Sequence, residues 1–172
     1  MGDRDSMGGL GTDERAARRR ARQILDLEEG RVTVPLLDGA GIERVLRGAR
    51  RIAVIGASSS PARPSWGVFR YLRRAGYDVV PVNPGKAEVD GAPAFATLAE
   101  AVDAGGPFDI VDVFRRPDAC AGHAVEAVTA GAGCLWLQQG VVSWEAARIA
   151  TAAGMDVVMD RCIMVDHHRL RD

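Results

Sequence analysis

Five short apolar runs, at 51–56, 77–82, 109–114, 134–138 and 155–159, punctuate the last two thirds of the chain. Each is too short for a stable helix, and none alternates strictly between apolar and polar residues. That texture fits strands covered on both faces of a sheet. Helical patterns fill the gaps. In 65–74, Val68, Phe69 and Leu72 group at helical spacing and Gly76 is a stop. Thr97 caps a short helix over 97–103, and Pro117 sits near the first turn of a helix over 117–130, a place that favours proline. Ser143 caps a helix that runs to about residue 153, where Gly154 ends it. Strands that alternate with helices must pair in parallel through right-handed crossovers. The predicted fold class is therefore α/β, a doubly wound parallel five-stranded sheet with helices on both faces, preceded by N-terminal helices.

Length and composition agree with a domain of this kind. A chain of 172 residues, 47% hydrophobic and 26% charged, fits one domain. It can bury roughly 70% of its unfolded surface without staples. No stretch reaches the ~20 apolar residues needed to cross a bilayer, and the N-terminus lacks a secretory apolar core. Cys120, Cys134 and Cys162 form no CxxC and read as reduced thiols, so a cytoplasmic location is expected. With 22 basic against 23 acidic residues there is no basic excess, which speaks against general nucleic-acid binding. The lysine content is a single residue, Lys86; every other basic side chain counted there is arginine.

Three parts are expected: a mobile tail over 1–12, a helical extension over 13–50, and the main domain over 51–172. The extension holds a charged helix over 13–29, with Thr12 as its cap, and a second helix after Asp38 in which Ile42, Val45 and Leu46 share a face. The run Arg18, Arg19, Arg20, Arg22 reads as a solvated helix face, and this helix is the place where a protein partner would dock.

In a doubly wound sheet, ligands bind beyond the C-terminal strand ends, where the strand order reverses. Five segments occupy such ends. The first, 56–67, combines Gly56 for a tight turn, Ala57 and Ser58, Arg63 as a cation, and the helix start at Ser65, Trp66 and Gly67. Free amides at a helix start suit a phosphate or pyrophosphate. The loop is longer than GxGxxG, which argues against the usual NAD geometry. The second contains Asn83, Pro84 and Lys86 where an NAD site would carry an acid. A cation there suits a phosphorylated ribose, and charge alone leaves NADP and coenzyme A both open. The third, Phe114, Arg115, Arg116, offers guanidinium groups for a pyrophosphate or an adenine face. In the fourth, the Gln138 amide can bond a ligand's polar edge. In the fifth, Asp160 and Arg161 pair with each other or with neighbouring loops, and Cys162 is expected buried and inert. His123 is expected to be structural, and His167 and His168 to lie in a C-terminal tail. Trp66 stands where it can shape ligand entry. No metal spacing and no catalytic triad order are present, so neither a catalytic residue nor a metal ligand is assigned.

The blocks 52–58, 63–68, 76–84, 109–117, 136–138 and 159–162 occur in an order and spacing that resemble the small bacterial CoA-binding proteins, the YccU-like group. Their domain also occurs in the alpha subunit of succinyl-CoA synthetase. The resemblance covers about 51–170 and implies a Rossmann-like CoA-binding fold. It implies a pyrophosphate held by the first loop and by Ser65–Gly67. It implies the adenosine and its 3′-phosphate at Asn83, Pro84 and Lys86, with Phe114, Arg115 and Arg116 lining the same cleft. The ligase domain of the synthetase, with its phosphorylated histidine, has no counterpart here.

Non-catalytic binding of CoA or an acyl-CoA, for sensing or carriage, is therefore the leading expectation. Two alternatives differ in class. One is an enzyme, either an NADP-linked oxidoreductase or a CoA-dependent transferase, relying on Cys162, Asp160 or His123. The other is a partner-binding protein with an empty nucleotide cleft.

Overall fold

A computed structural model of the chain describes residues 33–171, together with Glu14, Arg18, Ala21, Arg22, Leu25 and Glu29. The chain divides into two compact units, Met1–Thr33 and Val34–Asp172. In the first, Glu14 and Arg18 form an exposed i,i+4 ion pair at 3.2 Å. The tail expected over 1–12 and most of the helix expected over 13–29, with its docking role, lie outside the described residues.

The second unit opens with helix α1 (Gly39–Gly48), whose N-cap Asp38 accepts a hydrogen bond from the Gly41 N–H at 2.8 Å. Ile42 and Leu46 of α1 are buried in the same apolar cluster as Ile52 and Val54 of the sheet. Burying such a side chain stabilises by ~1.5–3 kcal/mol. That packing makes α1 part of the main domain, whereas the sequence reading assigned it to the extension.

Five parallel strands follow: β1 (Arg51–Ile55), β2 (Asp78–Val82), β5 (Ile110–Val113), β6 (Cys134–Leu137) and β7 (Asp156–Val158), in the spatial order β2-β1-β5-β6-β7. Between them run α2 (Pro64–Arg74), α3 (Leu98–Gly105), α4 (Cys120–Thr129) and α5 (Trp144–Ala152). Helices α3, α4 and α5 cover one face of the sheet, against Ala53, Ile55, Val111 and Leu135. Helices α1, α2 and α6 (Ile163–Arg169) cover the other, against Ile52, Val54, Ile110 and Trp136. The sheet is thus doubly wound, as the alternation requires, and its strands are buried on both faces.

Two elements depart from the expectation. Residues 83–97 contain a hairpin, β3 (Glu88–Val89) paired antiparallel with β4 (Ala92–Pro93). Its turn is Asp90-Gly91, both with positive φ, 49° and 76°, as a type I′ turn demands. Phe95 then bonds along β2, its N–H donating to Pro81 O at 3.0 Å, which covers that edge of the sheet. His167 and His168 belong to α6 and not to a tail. Ile163 anchors α6 in the core, and the buried Asp166 carboxylate takes a bidentate bond from Arg161, at 2.7 and 2.5 Å.

Candidate functional site

The strand order reverses between β1 and β5, because the chain leaves β1 for β2 on one side and returns to β5 on the other. At this switch point Gly56 follows β1 with φ +82°, and a Cβ there would lie 2.4 Å from Phe114 O. Glycine is therefore required, both for the backbone conformation and for the contact between two strand-end loops.

Helix α2 begins beside this contact. Pro64 occupies its first turn and its N-cap Arg63 makes no side-chain cap bond. The first-turn amides of Ser65 and Trp66 have no i−4 partner inside the helix; the Trp66 N–H bonds Arg63 O at 3.1 Å and the Ser65 N–H has no partner among the described residues. Such amides carry partial positive charge and favour an anion. They open onto a cleft of about 1300 Å³ along the C-terminal ends of the strands. Segment 50–168 matches the family model described as "CoA binding domain".

The chain belongs to that family.

Three further likenesses accompany this match. YneT of Bacillus subtilis (strain 168) is 42% identical over 128 residues, 74% of this chain and 93% of YneT. A solved Thermus thermophilus structure is 42% identical, with a TM-score of 0.72, over 78% of this chain and 99% of its own. A Pyrococcus horikoshii OT3 structure is 34% identical, with a TM-score of 0.74, over 82% and 99% respectively.

The cleft gathers most of the residues singled out from the sequence. Gly56, Ser58, Arg63, Ser65, Asn83, Pro84, Phe114, Arg115, Arg116 and Gln138 all line it. Four do not. Ala57 is buried in the core. Gly67 presents no side chain. Trp66 stacks under the Arg70 guanidinium at 4.5 Å. Lys86 is exposed, in a turn where its N–H bonds Asn83 O at 3.1 Å, and its side chain is not part of the lining. The Asn83 side chain is occupied by the fold itself: Nδ2 donates to Ala57 O at 2.8 Å and Oδ1 accepts from Gly85 N at 3.0 Å. It ties the loops after β1 and β2 together.

Arg115 is half-buried, and its Nε is shut away without a partner, while Arg116 is exposed and pairs with Asp118 at 3.3 Å. Arg161 pairs with Asp166 and not with Asp160. Asp160, at φ +57°, accepts a bond from the Gly140 N–H at 2.7 Å and so joins the loop after β6 to the loop after β7.

Three cleft features differ from the sequence expectations or lie beyond them. His123 was expected to be structural, yet it forms part of the cleft wall. A 3₁₀ turn over Pro117–Ala119 precedes α4, so His123 falls in the first turn of that helix. Its Nδ1 is 2.8 Å from Glu126 Oε2, another lining group. Cys162 is half-buried and lines the cleft, whereas the other two thiols are buried. Burial pushes Cys120 up to about 11 and Cys134 up to about 12, so neither ionises near neutral pH. The third feature is Asp112, on β5 between Val54 and Trp136, which is fully buried. Its Oδ1 accepts from Gln138 Nε2 at 2.8 Å, and its Oδ2 has no partner. Burial pushes its carboxyl up to about 8, so it is neutral at pH 7, and the bond to Gln138 only partly opposes the rise. Its place inside an apolar run marked it as strand, and nothing in the sequence named its partner.

Among the described residues no group of His, Cys, Asp and Glu is arranged to hold a metal ion. No helix there is long and apolar enough to cross a membrane.

Proposed function

We propose that this chain binds coenzyme A or an acyl-CoA in the switch-point cleft, and that it does so as a carrier or sensor without performing chemistry on the ligand. The observation that carries the reading is the uncapped start of α2, opening with the Arg63 and Arg115 side chains onto one large cleft in a CoA-binding domain. The pyrophosphate lies at the Ser65 amide. The adenosine lies over Pro84, and Lys86, two residues further along, supplies the cation for the 3′-phosphate. The pantetheine arm runs toward β6. A cleft of this volume exceeds the ~300–1,000 Å³ of drug-sized sites, as a nucleotide with a long arm requires.

The test is a thermal-shift panel of CoA, dephospho-CoA, NADP, NAD and ATP. A ligand at ~100 times its Kd adds ~2.7 kcal/mol of stability. CoA is expected to give the largest shift, and dephospho-CoA a smaller one. Lys86→Ala is expected to remove the difference between the two. A shift with NADP and none with CoA overturns the reading.

One observation favours a second reading, a CoA-dependent transferase: the His123–Glu126 contact in the cleft wall, which orients an imidazole toward proton transfer. Transfer of the acyl group from an acyl-CoA to an added amine or alcohol acceptor, with release of the CoA thiol and abolished in His123→Ala, would establish it.

A further inference from the structure

Gln138 ends the apolar run of β6 and is only 4% exposed, yet it lines the cleft. Its Nε2 is spent on Asp112 Oδ1. Its Oε1 accepts no hydrogen bond from any described residue. Unlike Asp112 Oδ2, it is not shut away from the cleft, so a donor on a bound ligand can bond it there. The donor must be an N–H or O–H group, because the other half of the amide is already held.

The strand order fixes which part of the ligand passes there. Gln138 stands at the end of β6, two strands from β1. With strands roughly 4.8 Å apart, it lies about 10 Å across the sheet from the loop that starts α2. The nucleotide end is on the far side of that loop, over β2. The segment of a CoA molecule that follows the pyrophosphate is the pantetheine arm, whose N–H donors are its two secondary amides.

We propose that Gln138 reads an amide N–H of the pantetheine arm through its Oε1, and that Asp112 is the positioning residue that turns this oxygen into the cleft. The inference rests on the CoA reading above. Asp112 suits the role because it is locked in the sheet: Val54 and Trp136 flank it in register on the neighbouring strands. Its neutral form needs no counter-ion in that apolar layer. Gln138 is tied in turn by its backbone, whose carbonyl accepts from the Val141 N–H at 2.8 Å. The amide therefore has little freedom to turn away.

The test compares affinity for CoA with affinity for adenosine 3′,5′-bisphosphate, which has the phosphorylated adenosine and no arm. Gln138→Leu is expected to lower the ratio of the two affinities about tenfold, the worth of one hydrogen bond in a buried site. Asp112→Leu is expected to lower the same ratio, and Asp112→Asn, which keeps an acceptor oxygen for Nε2, to restore it. An unchanged ratio in Gln138→Leu overturns the inference while leaving CoA binding intact. Failure of the wild-type chain to bind CoA overturns the CoA reading and this inference with it. Should Asp112→Leu not fold, hydrogen exchange of the Gln138 side-chain amide decides the positioning role. Exchange is expected to be slow in the wild-type chain, and fast exchange there overturns the role.

Discussion

The two ends of the sheet carry similar polar residues and treat them differently. At the N-terminal ends of β1 and β2 a smaller cavity of about 600 Å³ is bordered by Arg50, Tyr77 and His167. Here the fold answers its own polar groups. Asp109 Oδ2 accepts from the Arg50 and Arg51 amides at 2.8 and 2.9 Å, and the Tyr77 O–H donates to Leu46 O at 2.8 Å. Tyr71 bonds His167 Nδ1 at 2.9 Å, and both tyrosine rings meet the imidazole edge-on. Burial, then Arg171 and His168, hold His167 below its ordinary value. Arg51 Nε is the exception, bonded to nothing and 3.6 Å from Asp78. At the C-terminal ends Asp112 Oδ2 and Arg115 Nε are left without partners, and the start of α2 has no side-chain cap. Polar groups that satisfy one another build a clamp. Of the groups left unanswered only the start of α2 opens onto the cleft, and it is there that an anionic ligand can bond; Asp112 lies beneath, in the sheet.

The contrast can be broken by mutation. The largest effect is expected at Gly56→Ala, where a Cβ meets Phe114 O at 2.4 Å in a conformation that disfavours side chains. A loss of about 3 kcal/mol, near 10 °C in Tm, is expected together with loss of the CoA-induced shift. Retention of both would mean that the two loops do not meet as described.

The next effect is on pH dependence. Asp112 holds its proton up to about pH 8 in the folded chain and releases it near pH 3.8, the ordinary aspartate range, when unfolded. Between those values the native state holds more protons, so stability falls as pH rises, with a slope approaching roughly 1.4 kcal/mol per pH unit from this group. Urea titrations at pH 6, 7 and 8 are expected to show that decline, and Asp112→Asn to flatten it. An equal slope in both proteins would mean that the carboxyl is not buried in neutral form.

Smaller changes belong to the clamp. Tyr77→Phe removes the bond to Leu46 O and is expected to cost about 1 kcal/mol by denaturant unfolding, with the CoA-induced shift unaltered. Smallest is Arg44→Ala, which breaks an exposed pair with Asp156, 3.3 Å long and 66%/42% exposed. Less than about 0.5 kcal/mol is expected there. A change in ligand response from either variant would erase the functional difference between the two ends.

Much of this architecture was legible without coordinates, for local reasons. Thr97 and Ser143 cap the helices that the pattern predicts, accepting from the Glu100 and Ala146 amides. The β3–β4 hairpin also had a readable signal, Asp90-Gly91, but strands of two residues are too short for a hydrophobic pattern to announce. Helix α6 escaped because its seven residues offer a short period, and its anchor, the Arg161–Asp166 pair, is a side-chain contact that no period encodes. The cleft-wall position of His123 was not legible, because the 3₁₀ turn at Pro117 shifts where α4 begins.

Taken alone, the sequence determined the alternation of buried strands and helices, the parallel pairing this imposes, and the strand-end loops where a ligand must be sought. These follow from chain-local propensities and from the handedness of crossovers. The tertiary structure alone decided the order β2-β1-β5-β6-β7 and the contact of Gly56 with Phe114. It also decided the use of Asn83 as a tie between loops and the pairing of Asp112 with Gln138, 26 residues apart. Such partnerships arise when the sheet closes and distant groups are withdrawn from water together. Their chemistry is then set by burial and by whoever lies alongside, quantities that no stretch of neighbouring residues contains.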